Sequence, residues 1–114
     1  MNTCIFCKII AGEAPAEILY RDEQVTAFRD IRPVAPTHVL IVPNKHLASL
    51  NEASPDDEAL LGRILLTAKK IAEMEGIQES GYRLIVNNGP DANQVIFHLH
   101  LHVIGGRRMR YPMG

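Results

Sequence analysis

Two periodicities of hydrophobic and polar positions run along this chain of 114 residues, and their alternation divides it into short extended segments around one long helix. Cys4-Ile5-Phe6-Cys7-Lys8-Ile9-Ile10 is a short apolar run stopped by Gly12 and Pro15, and it predicts one or two helical turns ending in a glycine cap. Glu17 to Arg21 and Val25 to Arg29 are β-prone and flank the turn-forming Asp22-Glu23, which predicts a hairpin. Asp30-Ile31-Arg32-Pro33 ends the second strand. His38 to Pro43 is continuously apolar, as a central strand covered on both faces would be. Ser54-Pro55-Asp56-Asp57 places a serine cap, a proline and two acids at a helix start, and the pattern runs to about Glu75 before Gly76 stops it. Leu60, Leu61, Ile64, Leu65, Ala68, Ile71 and Ala72 recur at helical spacing, so one face packs on the sheet; this helix is structural. Tyr82 to Asn87 is a further strand, followed by the polar loop Asn88 to Gln94.

The period of two is strictest in Phe97-His98-Leu99-His100-Leu101-His102-Val103-Ile104, which carries three of the five histidines in the chain. On a strand, His98, His100 and His102 face one side while Leu99, Leu101 and Val103 face the other. Alternate residues lie roughly 6.6 Å apart, so one phosphate or one metal ion can touch neighbouring imidazoles. Imidazole is both a nucleophile and a proton carrier near neutral pH, and three of them can divide that labour around a phosphorus atom. The same pattern delivers two ligands to zinc or iron, and the spacing does not separate the two readings.

Composition narrows the partners. The length fits one domain over residues 1–114, small enough to pair with a second copy. Twelve basic against thirteen acidic residues give a net charge of -1, which removes any strong case for a nucleic-acid polymer or an anionic membrane and leaves a small anionic ligand. The N-terminal stretch has no basic region leading into a long apolar run, and the expected location is the cytoplasm. Two cysteines there argue against a disulfide framework.

Other positions carry two readings each. Cys4-x-x-Cys7 offers half of a tetrahedral zinc site; the alternatives are two buried thiols, or a redox pair, for which the leader is too short to hold the preceding strand. Asp30, at a strand end, suits the hydroxyls of a ribose or else a solvated turn. Asn87 and Gln94 can donate amide N–H groups to phosphate oxygens or satisfy turn backbone. His46, just past a strand end, reads alone as a surface histidine. Arg107, Arg108 and Arg110 can hold a phosphate, stay solvated or anchor a dimer partner.

His98-Leu99-His100-Leu101-His102-Val103-Ile104 matches the signature His-φ-His-φ-His-φ-φ, with φ hydrophobic, and resembles the histidine triad (HIT) family. Phe28-Arg29-Asp30-Ile31, Ala35-Pro36-Thr37-His38, Ile41 to His46, Tyr82-Arg83 with Asn87, and Gly105-Gly106-Arg107 resemble its nucleotide-binding Hint branch, so the likeness spans nearly the whole chain. It implies an α+β HIT fold: an antiparallel sheet with one long helix and a short N-terminal helix, in a homodimer whose subunits share a continuous sheet. It implies hydrolysis of the P–N bond of purine nucleoside 5'-phosphoramidates, of the adenosine 5'-phosphoramidate type, through a nucleotidyl-histidine intermediate and without a catalytic cofactor. His100 would be the nucleophile, His102 would contact the phosphate and help the amine leave, and His38 and His98 would complete the imidazole network. Asp30 would bind the ribose, Ile31 the base, and Asn87, Asn93, Gln94 and Val95 would line the phosphate and ribose of an AMP- or GMP-like ligand. Tyr111-Pro112-Met113-Gly114 resembles a tail that reaches the partner's site. The neighbouring branch, which hydrolyses dinucleoside polyphosphates, shares the triad, and a nucleotide- or zinc-binding regulatory protein with little turnover is the third reading.

Two departures stand out. Where Hint-like proteins commonly read Gly-Gln-Ser, this chain has Asn93-Gln94-Val95, and valine lacks the expected hydroxyl donor. The thiol pair resembles bacterial relatives in which two cysteines and two histidines hold structural zinc; matching positions make the ligands Cys4, Cys7, His46 and His98. His98 would then hardly serve as an acid.

Overall fold

The computed structural model describes residues 3–110. Its elements are α1 (Ile5–Ile10), β1 (Ile18–Arg21), β2 (Val25–Arg29), β3 (Thr37–Pro43), α2 (Glu58–Met74), β4 (Tyr82–Ile85) and β5 (Leu101–Gly105), with two 3-10 turns before α2 and one in the loop preceding β5. Five strands form one antiparallel sheet in the order β1-β2-β3-β5-β4, an α+β arrangement. The hairpin turns where Asp22 indicates: its carboxylate accepts the N–H groups of Gln24 and Val25 at 2.7 and 2.9 Å. Ser54 and Asp57 form a reciprocal capping box, and α2 runs from there until Gly76, at φ +70°, turns the chain away.

The long apolar run of β3 has the expected cause: the sheet is covered on both sides. All seven β3 residues are buried. On one face Val39 and Ile41 join Leu99, Leu101, Val103 and the Ile64, Ala68 and Ile71 stripe of α2. On the other, Leu40 and Val42 meet Phe28 and the Phe6 and Ile9 side of α1. Arg29, at the end of β2, ties the sheet to the end of α2 through a two-pronged bond to Glu75 at 2.8 and 2.9 Å, with Glu17 on its remaining nitrogen.

Two strand ends differ from the sequence reading. The histidine strand begins at Leu101, so His98 and His100 precede it. The ladder pairs Ile41 with Leu101; the rungs beyond would need Pro43, which has no N–H, while the Leu99 N–H is taken by the Leu47 carbonyl at 2.7 Å. Alternation survives all the same, because Leu99 lies in the α2-side core while His98 and His100 pack edge-on against Phe6. β4 stops at Ile85 rather than Asn87, since Ile85 already pairs with His102 near the start of its neighbour. The tail Tyr111–Gly114 lies outside the described residues.

Candidate functional site

Two clusters of polar side chains sit on the α1 side of the sheet. The first contains His38, His100 and His102, with Asp30 beside them. β3 supplies His38 and β5 supplies His102, two rungs apart on adjacent strands and so on the same face; His38 Nε2 and His102 Nδ1 are 2.9 Å apart. The ring of His100 lies 5.0 Å from that of His102. Asp30 reaches His38 Nε2 at 3.4 Å with one carboxylate oxygen and caps the Arg32 N–H at 2.8 Å with the other.

Hydrogen bonds to the backbone assign the protons. His100 Nδ1 lies 2.8 Å from the carbonyl of His98, which only accepts, so Nδ1 carries a hydrogen and, in the neutral ring, the lone pair is on Nε2. The Val34 N–H donates to His38 Nδ1 at 3.2 Å, which leaves the proton of His38 on Nε2, aimed at His102 Nδ1. His102 therefore holds its own proton on Nε2. That nitrogen is buried and has no hydrogen-bond partner among the described residues. A lone pair on one imidazole thus stands beside an unspent donor on the next. Burial lowers the pKa of His38, and Asp30 opposes the shift. His102 is pushed down to about 4, chiefly by burial and further by His100 and His38, so it donates as a neutral ring.

The second cluster brings together Cys4, Cys7, His46 and His98, whose ligand atoms all lie within 4.8 Å of one another. Sγ of Cys4 is 3.3 Å from His98 Nδ1, Sγ of Cys7 is 3.3 Å from His46 Nδ1 and 3.5 Å from His98 Nδ1, and the two Nδ1 atoms are 3.2 Å apart. A zinc ion with bonds of about 2.3 Å to sulfur and about 2.05 Å to nitrogen has tetrahedral edges of roughly 3.6 Å for S–N and roughly 3.3 Å for N–N. The residues fit that ion in chemistry and in spacing. His98, with no exposed surface, places Nε2 2.8 Å from the Pro43 carbonyl, which fixes the hydrogen there and turns the Nδ1 lone pair toward the thiols.

The expected ligand-lining residues divide. Asp30 and Ile31 lie at the exit of β2 beside His38, and Ile31 is 86% exposed, free to meet a flat apolar group. Gln94 is buried and spends its amide on the backbone, donating to the carbonyls of Ala48 and Ile96 and accepting from the Gly89 N–H; the turn-satisfying reading is the one realised. Asn93 has φ +62°, a conformation that favours glycine and next asparagine. Val95 is 81% exposed. Among the described residues, no hydrogen bond joins Asn87, Asn93 or Val95 to the three imidazoles. Phe6 was missed: seen in sequence as a helix residue between two thiols, it packs against both His98 and His100 at 5.9 and 5.2 Å.

A five-stranded antiparallel sheet presenting three linked imidazoles beside a partly exposed thiol–imidazole cluster suits the histidine triad class of protein. Residues 11–109 match the model of the HIT domain, and the chain belongs to that family. It is 52% identical over 110 residues to the purine nucleoside phosphoramidase of Escherichia coli K12, covering 96% of this chain and 89% of the relative. The structure of a HIT family hydrolase from Legionella pneumophila Philadelphia 1 is 51% identical, with a TM-score of 0.95 over 98% of this chain and 100% of that one. A zinc-bound histidine triad family protein from Mycobacterium smegmatis superposes with a TM-score of 0.79 at 34% identity, covering 92% and 76% of the two chains.

Proposed function

We propose that this protein is a hydrolase of purine nucleoside 5'-phosphoramidates, cleaving the P–N bond through a nucleotidyl-histidine intermediate. The observation that carries the reading is the placing, 5.0 Å apart, of the ring of His100, whose Nδ1–H is held by the His98 carbonyl, and the ring of neutral His102, whose Nε2 has no partner among the described residues. His100 Nε2 attacks phosphorus as the P–N bond breaks, and the nitrogen keeps the electron pair of that bond and takes up a proton from water to leave as the neutral amine. The buried His102 N–H has no competing partner, so it is free to bond a phosphoryl oxygen or the leaving nitrogen as charge develops. Water then attacks phosphorus and gives up a proton as the N–P bond of the intermediate breaks, the electron pair returning to His100 Nε2 and the nucleoside monophosphate leaving. Asp30 and Ile31 bind ribose and base, Gln94 positions the loop carrying Asn93 and Val95, and Asn87 borders the phosphate. The high identity to the Escherichia coli phosphoramidase supports this substrate class over dinucleoside polyphosphates. Competition between adenosine 5'-phosphoramidate and diadenosine polyphosphate tests it: kcat/KM is expected to favour the phosphoramidate, and the opposite preference would reassign the substrate.

The second cluster holds zinc, with Cys4, Cys7, His46 and His98 as ligands. Two sulfurs and two nitrogens leave no open position, so the ion braces the N-terminal helix against the residues before β5 and takes no part in the reaction. Thiol ligands of this kind suit a reducing, cytoplasmic setting. Near-stoichiometric zinc in tag-free protein is expected by elemental analysis; its absence would sink the assignment.

The protein pairs with itself through β4. That strand is an edge of the sheet, and an apolar hollow lined by Leu50, Leu61, Leu65 and Val86 adjoins it, with Leu65 and Leu66 well exposed on α2. Joining two β4 edges continues the sheet across the pair.

A further inference from the structure

The tautomers that make His100 and His102 complementary depend on a bond made outside the cluster. His38 holds its proton on Nε2 only because the Val34 N–H occupies Nδ1. Val34 belongs to the irregular segment between β2 and β3, and its other backbone group is held just as firmly. Its carbonyl accepts from both Nε and an Nη nitrogen of Arg107 at 3.3 and 3.0 Å. Arg107 lies two residues beyond the end of β5, the strand that carries His102. Gly106, between them, has φ +91° and lies so close to Pro36 that a Cβ would come within 2.9 Å of its ring. The exit of the histidine strand thus clamps residues 34–36 at two points. Asp30 closes the other end, its N–H donating to the His38 carbonyl at 3.0 Å.

We propose that Arg107 is a positioning residue for the reaction: by gripping the Val34 carbonyl it aims the Val34 N–H at His38, which fixes the relay from His38 to His102 and keeps the His102 proton on Nε2. The inference rests on the phosphoramidase reading for its kinetic consequence, although the proton assignment itself does not. A guanidinium is suited to the task because its fork straddles one oxygen with two donors, whereas an ammonium offers a single point. The alternative role for Arg107, a charge that anchors phosphate, makes opposite kinetic demands. A phosphate anchor acts first on KM; a residue that sets a tautomer acts on kcat.

The test is two-bond 1H–15N correlation spectroscopy of the histidines in full-length, 15N-labelled protein, alongside steady-state kinetics of wild type, Arg107→Met and Arg107→Lys. Wild type is expected to show His38 protonated at Nε2 alone. Arg107→Met is expected to give a mixture of His38 tautomers and a kcat lower by about tenfold, with KM within about twofold, the size of one lost bond to a charged donor. Arg107→Lys should fall between the two. A wild-type His38 protonated at Nδ1 would overturn the proposal, as would an Arg107→Met protein with unchanged tautomer and kcat, or one whose loss appears in KM alone. Should Arg107→Met not fold, Arg107→Lys decides, because it keeps the charge but not the fork: partial mixing with reduced kcat supports the proposal and wild-type values contradict it. Should phosphoramidates prove not to be substrates, the tautomer of His38 still settles whether the clamp operates.

Discussion

His102 ends a chain of backbone-assigned protons, and its surplus donor is where the site departs most from an ordinary sheet surface. The alternation of residues 98–102 makes the three imidazoles legible in sequence, because the opposite face is apolar without exception. What the sequence leaves hidden is which nitrogen of each ring carries hydrogen. That choice is made by the carbonyl of His98 and the N–H of Val34, and backbone groups are the same in every sequence. Gln94 shows the converse limit, since an amide side chain can serve ligand or turn and only the fold reveals its commitments. Val95 stands where the resemblance to Hint-like proteins implies a serine. Being 81% exposed, it contributes little to the core, so Val95→Ser is expected to change the melting temperature by less than the roughly 4 °C that follows from about 1 kcal/mol. The same change restores a hydroxyl donor and is expected to raise kcat/KM several-fold; an unchanged value would show that the missing hydroxyl costs nothing.

Elements were the most readable level, since periodicity and capping act over a few neighbouring residues. The hairpin, both glycine stops and the Ser54 helix start stand where local chemistry puts them. The misplaced strand ends at His98 and Asn87 arise because a strand lasts only as long as its partner, and partners are distant in sequence. The bond from Arg29 to Glu75 was invisible for the same reason: 46 positions separate its members. It joins β2 to α2 in a half-buried setting where Thr37 also donates to Glu75, and Arg29 holds that carboxyl below its usual range. Removing one partner leaves the other charge poorly solvated. Arg29→Met is therefore expected to destabilise the fold by about 1–3 kcal/mol in urea unfolding, against less than about 0.5 kcal/mol for Glu17→Gln at the exposed end of the same arginine.

At the scale of the whole molecule, two imidazoles make stability depend on pH. The buried His38 and the half-buried His102 both titrate below their ordinary 6.5, His102 at about 4, so the unfolded chain binds more protons than the folded one in that interval. Their contribution to stability is complete above 6.5 and declines as pH falls toward 4. Thermal midpoints are expected to drop between about pH 7 and about pH 5, and His102→Asn to flatten that slope; a mutant slope as steep as wild type would place the cause elsewhere. At this scale the sequence conveyed the family and the thiol–imidazole cluster, whose members from positions 4 to 98 meet within 4.8 Å. Composition and spacing alone could not have joined His46 to that cluster; the family pattern did.

Release of AMP from adenosine 5'-phosphoramidate, by wild type and His100→Ala with and without a metal chelator, bears most directly on the central claim. The account predicts release by wild type that survives chelation for as long as the protein stays folded, and its loss in His100→Ala. Undiminished release by His100→Ala, or none from folded wild type, would contradict it.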